Sequence, residues 1–420
     1  MRRMLVHVEP GLTQTAVLSD DKLVDFFMER SSSRQGVGNL YKGRVMNVLP
    51  GMQAAFVDIG QGKNAFLYID DVLHQNLGMQ DKVKPSIVQL LKPGQDVTVQ
   101  IIKEPSSGKG ARVTTHCSLT GRYIVYMPYA GYTGVSRKIG SEQERTRLKQ
   151  LADRLLVEEE GIIMRTAAAG ISEELLAEDL RLLRDNWESV AAAAATLPAP
   201  AILHIEAGLV QRLVRDLLNS EIEEIWIDQS EQYDELCKLV RHIAPQWEQR
   251  VRRYEGRSAA DSLFVQYELS AKLERDFSRR IRLSSGAELV WDQTEALTVI
   301  DVNTGSFTGA DHLEDTIFQT NMEAAAEIAR LIRLRDTGGI IIVDYIDMTL
   351  EAHREQVKHR MEKLFRLDRT PCHVVGWTGL GLLELTRKKG REAAASQLFE
   401  PCAACRGQGK VYIGLTGGSL

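Results

Sequence analysis

Two apolar runs, LTVIDV at 297–302 and IIIVDYID at 340–347, constrain this chain more than any other feature. Each is one strand long and apolar on both faces. Between them Phe318, Met322, Ala325, Ala329 and Ile332 recur at helical spacing, which predicts a helix from about Thr316 to Leu334. A strand, a crossover helix and a second such strand are the signature of a parallel pair in a covered sheet. In open α/β sheets, functional side chains gather just outside the carboxyl ends of the strands. Asp301 and Asp344 occupy those two ends, and Asn303, two residues after Asp301, shares its face if the strand continues.

Two carboxylates and an amide, with no His or Cys beside them, make a hard oxygen donor set suited to Mg²⁺ or Mn²⁺ and unsuited to zinc. An ion held there can activate water against a phosphodiester, with Asn303 orienting the phosphate or the water. The alternative is structural, because an aspartate in an Asp-x-Asn-Thr-Gly turn often caps backbone. Asp347 either caps the following helix or supports the first two carboxylates from behind.

The chain of 420 residues is too long for one core, so several folded units are expected. Its first 30 residues read as strands at Met4 to Val8, Thr15 to Ser19 and Lys22 to Glu29, with an Asp20-Asp21 turn. Three strands cannot bury a core alone, so the segment that follows reads as an insertion. Between Gly38 and Ser118 glycine-punctuated strands (Lys42 to Val48, Ala54 to Asp58, Val97 to Ile102) fit a small antiparallel barrel. Helices are expected over Ser141 to Glu159 and Ser172 to Ala195, with core stripes at Leu148, Leu151, Leu155 and at Leu176, Leu180, Leu183, Trp187, Val190. The strand GIIM between them ends at Arg165-Thr166. Ala260 to Arg280 is expected as the longest helix.

The net charge of -5 does not advertise a nucleic-acid binder, but Lys103 to Arg147 holds eight Lys or Arg against three Glu. No apolar run is long enough to span a bilayer and the N-terminus lacks a signal-peptide core, so a cytoplasmic protein is expected. Five cysteines at irregular spacing do not form a disulfide framework. Cys402-Ala-Ala-Cys405 has chelate spacing for half of a zinc site, and a twofold copy would complete it as Cys₄ across a dimer interface. Gly376, Gly379 and Gly381 lack a regular strand-loop-helix context, which sets a nucleotide-binding reading aside.

The segments LTVIDVNTGS, LRLRDTGGIIIVDYIDM and LGLLELTRK resemble the catalytic core of the ribonuclease E/G family, and the resemblance runs from residue 1 to about 415. The barrel strands, with KGRV, AFVDIG, AFLY and KPGQDVTVQI, resemble an S1-like OB-fold. The resemblance implies a multidomain α/β fold: an RNase H-like subdomain (1–35 plus 212–275), an S1-like barrel (36–118), a 5′-sensor region (119–211), a DNase I-like catalytic subdomain (276–395) and a zinc-link tail (396–420). It implies Mg²⁺ at Asp301 and Asp344, with Asn303 assisting at the scissile phosphate. The expected activity is endonucleolytic cleavage of single-stranded, A/U-rich RNA, leaving 5′-phosphate ends, in rRNA processing and mRNA turnover.

By the same resemblance Phe56, Phe66 and Lys109 clamp RNA, with Arg112 and Tyr41 as further candidates. On residue type alone either Phe belongs to the core. GRYIVYMP, VSRK and MRTA resemble a pocket for a 5′-monophosphate, with Arg165 and Thr166 as ligands helped by Arg137 and the backbone near Gly121 and Val125. Thr370 and Pro371 stand where the resemblance implies another basic contact, so weaker sensing is expected. The zinc link between protomers, giving a homodimer or higher oligomer, is likewise implied. A catalytically idle protein that docks RNA through the barrel is the alternative.

Overall fold

The computed structural model describes residues 1–30, 36–72, 85–105, 109–157, 159–219, 221–256, 262–305, 313–389, 398–400, 402–405, 409 and 411. The chain divides into two compact units, one of Met1–Met28, Glu221–Cys237 and Trp247–Leu420, the other of Glu29–Ser220 and Lys238–Gln246.

In the first unit the strands Arg2–Glu9, Leu12–Ser19 and Lys22–Arg30 form a meander. Asp20 and Asp21 both have positive φ, 47° and 65°, as a tight turn between right-twisted strands requires. Arg2–Glu9 also pairs in parallel with Ile222–Ile227, which pairs in parallel with Val251–Arg253. The chain between Lys22–Arg30 and Ile222–Ile227 is therefore inserted between two strands of one five-stranded sheet.

A second, mixed sheet has the order Arg280–Arg282, Glu288–Gln293, Leu297–Asn303, Gly339–Asp344, Leu383–Arg387, Cys372–Trp377. Its one parallel pair is Leu297–Asn303 with Gly339–Asp344, joined by the helix Leu313–Leu334. Ile300, Val302, Ile341 and Val343 share a core with Ala325, Ile328 and Ile332 of that helix and Val357 and Met361 of Glu351–Phe365. Only this face is fully covered: Ile340, on the other, is 51% exposed. Gly379 and Gly381 lie in the hairpin turn between the last two strands, and Gly376 in the first of those strands.

The expected long helix is broken into Leu263–Gln266 and Leu269–Phe277, with Glu268 left-handed between them at φ 51°. Leu263 and Leu269, both fully buried, lie six residues apart, a spacing that puts them on different faces of one helix. The break lets both reach the core. The longest described helix is instead Glu173–Thr196.

In the second unit, Leu40–Leu49, Ala54–Asp58, Ala65–Tyr68, Arg112–Thr114 and Asp96–Lys103 pair in that order and close back on Leu40–Leu49. This is a closed five-stranded barrel, consistent with an OB-like fold, around Val45, Val57, Leu67, Val99 and Val113. Gly43 is obligatory here, since a Cβ would sit 2.5 Å from Val57. A separate sheet of Thr133–Val135, Gly161–Met164, Ile124–Met127 and Leu119–Thr120 shares a core with Glu142–Leu155 and Glu173–Thr196, built on Leu148, Leu151, Leu176, Leu180 and Val190.

Candidate active site and RNA interface

Asp301 and Asp344 are register partners on adjacent parallel strands. Their neighbours Ile300, Val302 and Val343 are buried, so strand alternation turns both carboxylates to the opposite face. Asn303 shares that face, and its Nδ2 donates to Asp301 Oδ2 at 2.8 Å. Burial pushes the Asp344 carboxyl up, and the charges of Asp301 and Asp347 push it further. Asn321, fully buried on the crossover helix, brackets Ile346 through its N–H (3.1 Å) and its carbonyl (2.8 Å), fixing the loop that leaves Asp344. No set of three His, Cys, Asp or Glu shaped to hold a metal occurs among the described residues. Two carboxylates on the face away from the core still fit magnesium, which usually keeps several waters and takes one or two protein carboxylates.

On the barrel, register places Asn47, Phe56, Phe66, Arg112 and Lys103 in one row across neighbouring strands. Ala55, Val57 and Leu67 point inward, so the row points outward and both phenylalanines are half-buried. Their rings meet edge-on, centroids 5.9 Å apart. Arg112 is steadied by Asp71 through Nε (2.9 Å) and Nη2 (2.7 Å). Gly110 passes so close to Asn64 that a Cβ would fall 2.0 Å from its carbonyl oxygen, which brings exposed Lys109 to the start of the Ala65–Tyr68 strand. Ser106 to Gly108 of that hairpin lie outside the described residues. Tyr41 is 2% exposed in the barrel core, with its hydroxyl bonded to Gln61. It offers no stacking face.

Arg165 ends the Gly161–Met164 strand and its guanidinium is already engaged. Nη1 donates to the carbonyls of Gly121 (2.6 Å) and Arg122 (3.1 Å), and Nη2 to Asp216 Oδ1 at 2.6 Å. Thr166 is exposed, its hydroxyl 2.8 Å from that of Ser136, and Arg137 is exposed next along the chain. Asp179 accepts from the backbone N–H groups of Arg122, Tyr123 and Ile124 and so shapes the turn. Gly121 must be glycine there, because a Cβ would lie 2.6 Å from Asp179. Its N–H is spent on Ile124, so it offers this pocket its carbonyl and not a donor. Val125 sits mid-strand, in register with Ile163 and Thr120.

A family model, described as Ribonuclease E/G family, matches residues 118–390. Ribonuclease G of Salmonella typhimurium (strain SL1344) is 41% identical over 413 residues, covering 97% of this chain and 84% of that protein. The chain belongs to the ribonuclease E/G family. Ribonuclease G of Haemophilus influenzae (strain ATCC 51907 / DSM 11121 / KW20 / Rd) is 40% identical over 414 residues, covering 97% of this chain and 84% of that protein. Ribonuclease E of Escherichia coli (strain K12) is 37% identical over 423 residues, covering 98% of this chain but 39% of that protein.

The ribonuclease E/G match spans the carboxylate pair and the Arg165 pocket, and stops before the cysteines. Cys402 is exposed and Cys405 half-buried, both as free thiols. Backbone N–H groups of Cys405 and Ala404 donate to the Cys402 sulfur and pull its thiol down, which favours the thiolate that a metal needs. Sequence reasoning missed Asn321 and Asp216, and reached Lys103 and Ser136 only as members of the basic stretch and of the VSRK segment. Only Asn321 left a signal: an amide on the helix face that carries Ala325 and Ile328.

Proposed function

We propose that this chain is an endoribonuclease that hydrolyses single-stranded A/U-rich RNA with Mg²⁺ at Asp301 and Asp344, leaving 5′-phosphate ends. The observation that carries this reading is the in-register pair of carboxylates, facing away from the core with Asn303 bonded to one of them. Magnesium bound there would supply a Lewis acid and a water of lowered pKa. The chain's own part is to hold two like charges together, to keep Asp301 oriented through Asn303, and to present Asn303's amide toward the phosphate. The row of Phe56, Phe66, Arg112 and Lys103, with Lys109 nearby, would stack bases and neutralise phosphates along an incoming strand.

Arg165 and Thr166, with Arg137 at the rim, would take a 5′-monophosphate, giving a preference for such ends. The ribonuclease names of the relatives support the activity class. The role that goes with this reading is rRNA processing and mRNA turnover in the cytoplasm. Cys402 and Cys405 would share Zn²⁺ with a second copy. We assign the inserted segments to the S1-like and sensor domains, and the sheet bearing Asp301 to a DNase I-like subdomain.

The test is cleavage of a single-stranded A/U-rich oligoribonucleotide, with and without Mg²⁺, by wild type and Asp344→Asn. Undiminished cutting by the variant sinks the metal assignment. A wild type that binds without cutting supports the docking alternative. Cys402→Ser should release zinc and lower the mass in solution toward the monomer. An unchanged mass would argue against the shared zinc.

A further inference from the structure

We infer that Asp216 acts as an internal stand-in for the RNA 5′-phosphate, holding Arg165 in the free protein and setting how tightly a monophosphorylated end is bound. The inference rests on the reading of Arg165 and Thr166 as a 5′-phosphate pocket and names the residue that tunes it.

Asp216 belongs to the helix Leu209–Leu217, far in sequence from Arg165. Its carboxylate accepts from Arg165 Nη2 at 2.6 Å, and through the same Oδ1 from Arg215 Nε at 3.1 Å. Arg215 in turn donates to Glu206 Oε1 at 2.8 Å and to the Thr120 carbonyl at 3.0 Å. The group is therefore a chain of alternating charge, Glu206, Arg215, Asp216, Arg165. Asp179 adds a further carboxylate within electrostatic reach of Arg165. Arg122 does not offset it locally: its guanidinium is directed to the carbonyls of Val214, Arg215 and Leu218 at the end of the helix.

Two consequences follow from that arrangement. Arg165 keeps its place without Asp216, since the carbonyls of Gly121 and Arg122 hold Nη1 from the other side. It also retains donors: of a guanidinium's five N–H bonds, these three contacts leave Nε–H and one Nη2–H for a ligand. An arriving phosphate meets Thr166 and Arg137 at an open rim, but the charge it seeks is already paired with a carboxylate, and it must share the guanidinium with a like charge. Removing that charge while keeping the shape should tighten binding. A residue whose only role was to position Arg165 would have the opposite effect.

The experiment measures binding, so it does not depend on catalysis. The full chain is titrated with one single-stranded oligoribonucleotide in 5′-monophosphate and 5′-hydroxyl forms, using wild type, Arg165→Gln and Asp216→Asn. Expected are a preference for the monophosphate in wild type, its loss in Arg165→Gln, and a roughly two- to fivefold larger preference in Asp216→Asn, the size of one partly exposed charge contact. An unchanged or smaller preference in Asp216→Asn overturns the inference while leaving the pocket standing. Absence of any preference in wild type and Arg165→Gln overturns the pocket reading, and this inference with it. If Asp216→Asn melts below the assay temperature, Asp216→Ser removes the same charge with a smaller side chain and is read by the same criteria.

Discussion

Two of the parallel strand pairs in the first unit bring two acidic side chains together at their carboxyl ends, and the fold treats them in opposite ways. At Arg2–Glu9 and Ile222–Ile227, Glu9 and Asp228 are bridged by His7, with Nε2 3.0 Å from Glu9 and Nδ1 hydrogen-bonded to Asp228. At Leu297–Asn303 and Gly339–Asp344, Asp301 and Asp344 face each other, and among the described residues no Lys, Arg or His pairs with either. The fold supplies its own cation at one pair and leaves a like-charge pair at the other. A closed charge cluster stabilises the fold, whereas the open one is where the proposed function puts a cation from outside.

That contrast breaks most sharply through activity. Asp344→Asn should lower RNA cleavage by at least ~10²-fold, the scale of removing a group that stabilises charge in the transition state. Asp228→Asn should leave cleavage within about threefold and lower stability by ~1–3 kcal/mol, the cost of losing a charged hydrogen-bond partner. Cleavage assays and denaturant titrations on both variants decide it. Equal losses of activity would mean that the two clusters do not differ in role.

The open pair was legible because it is encoded locally. Apolar runs of strand length, a helical period between them and an aspartate at each end leave few arrangements, and the register joins the partners the spacing suggested. Phe56 and Phe66 were harder: their type points inward, and only the pairing with Ala55, Val57 and Leu67 inside the barrel turns them out. The helix break at Tyr267 and Glu268 was not legible, since the segment is rich in good helix formers and the break serves the burial of Leu263 and Leu269. Asp216 was invisible for a different reason. Its partner Arg165 is 51 residues away and no periodicity links them.

The barrel row offers a test in which neither cluster takes part. Phe66→Ala should weaken binding of single-stranded RNA by ~1–3 kcal/mol, the worth of one stacked base. The fold should survive, because the ring lies outside the core. Leu67→Ala, one residue on and fully buried, should instead destabilise by ~2–5 kcal/mol. If Phe66→Ala costs stability and not affinity, the row is part of the fold and not a platform.

The smallest effect lies in the closed cluster itself. The hydrogen bond to Asp228 raises the His7 imidazolium above its ordinary range, against the opposing cost of burial and with help from Glu9. A raised folded pKa means that His7 binds its proton more tightly in the native state. Its contribution is complete below the unfolded value of about 6.5 and is lost as pH rises through the folded value. One titrating group changes stability by at most about 1.4 kcal/mol per pH unit, on the order of 1 °C in Tm for a protein this large. Melting curves between about pH 6 and pH 9 should therefore decline more steeply for wild type than for His7→Gln. Parallel curves would mean that Glu9 and Asp228 are held apart without the cation, and the distinction between the two strand pairs would then rest on Asp344 alone.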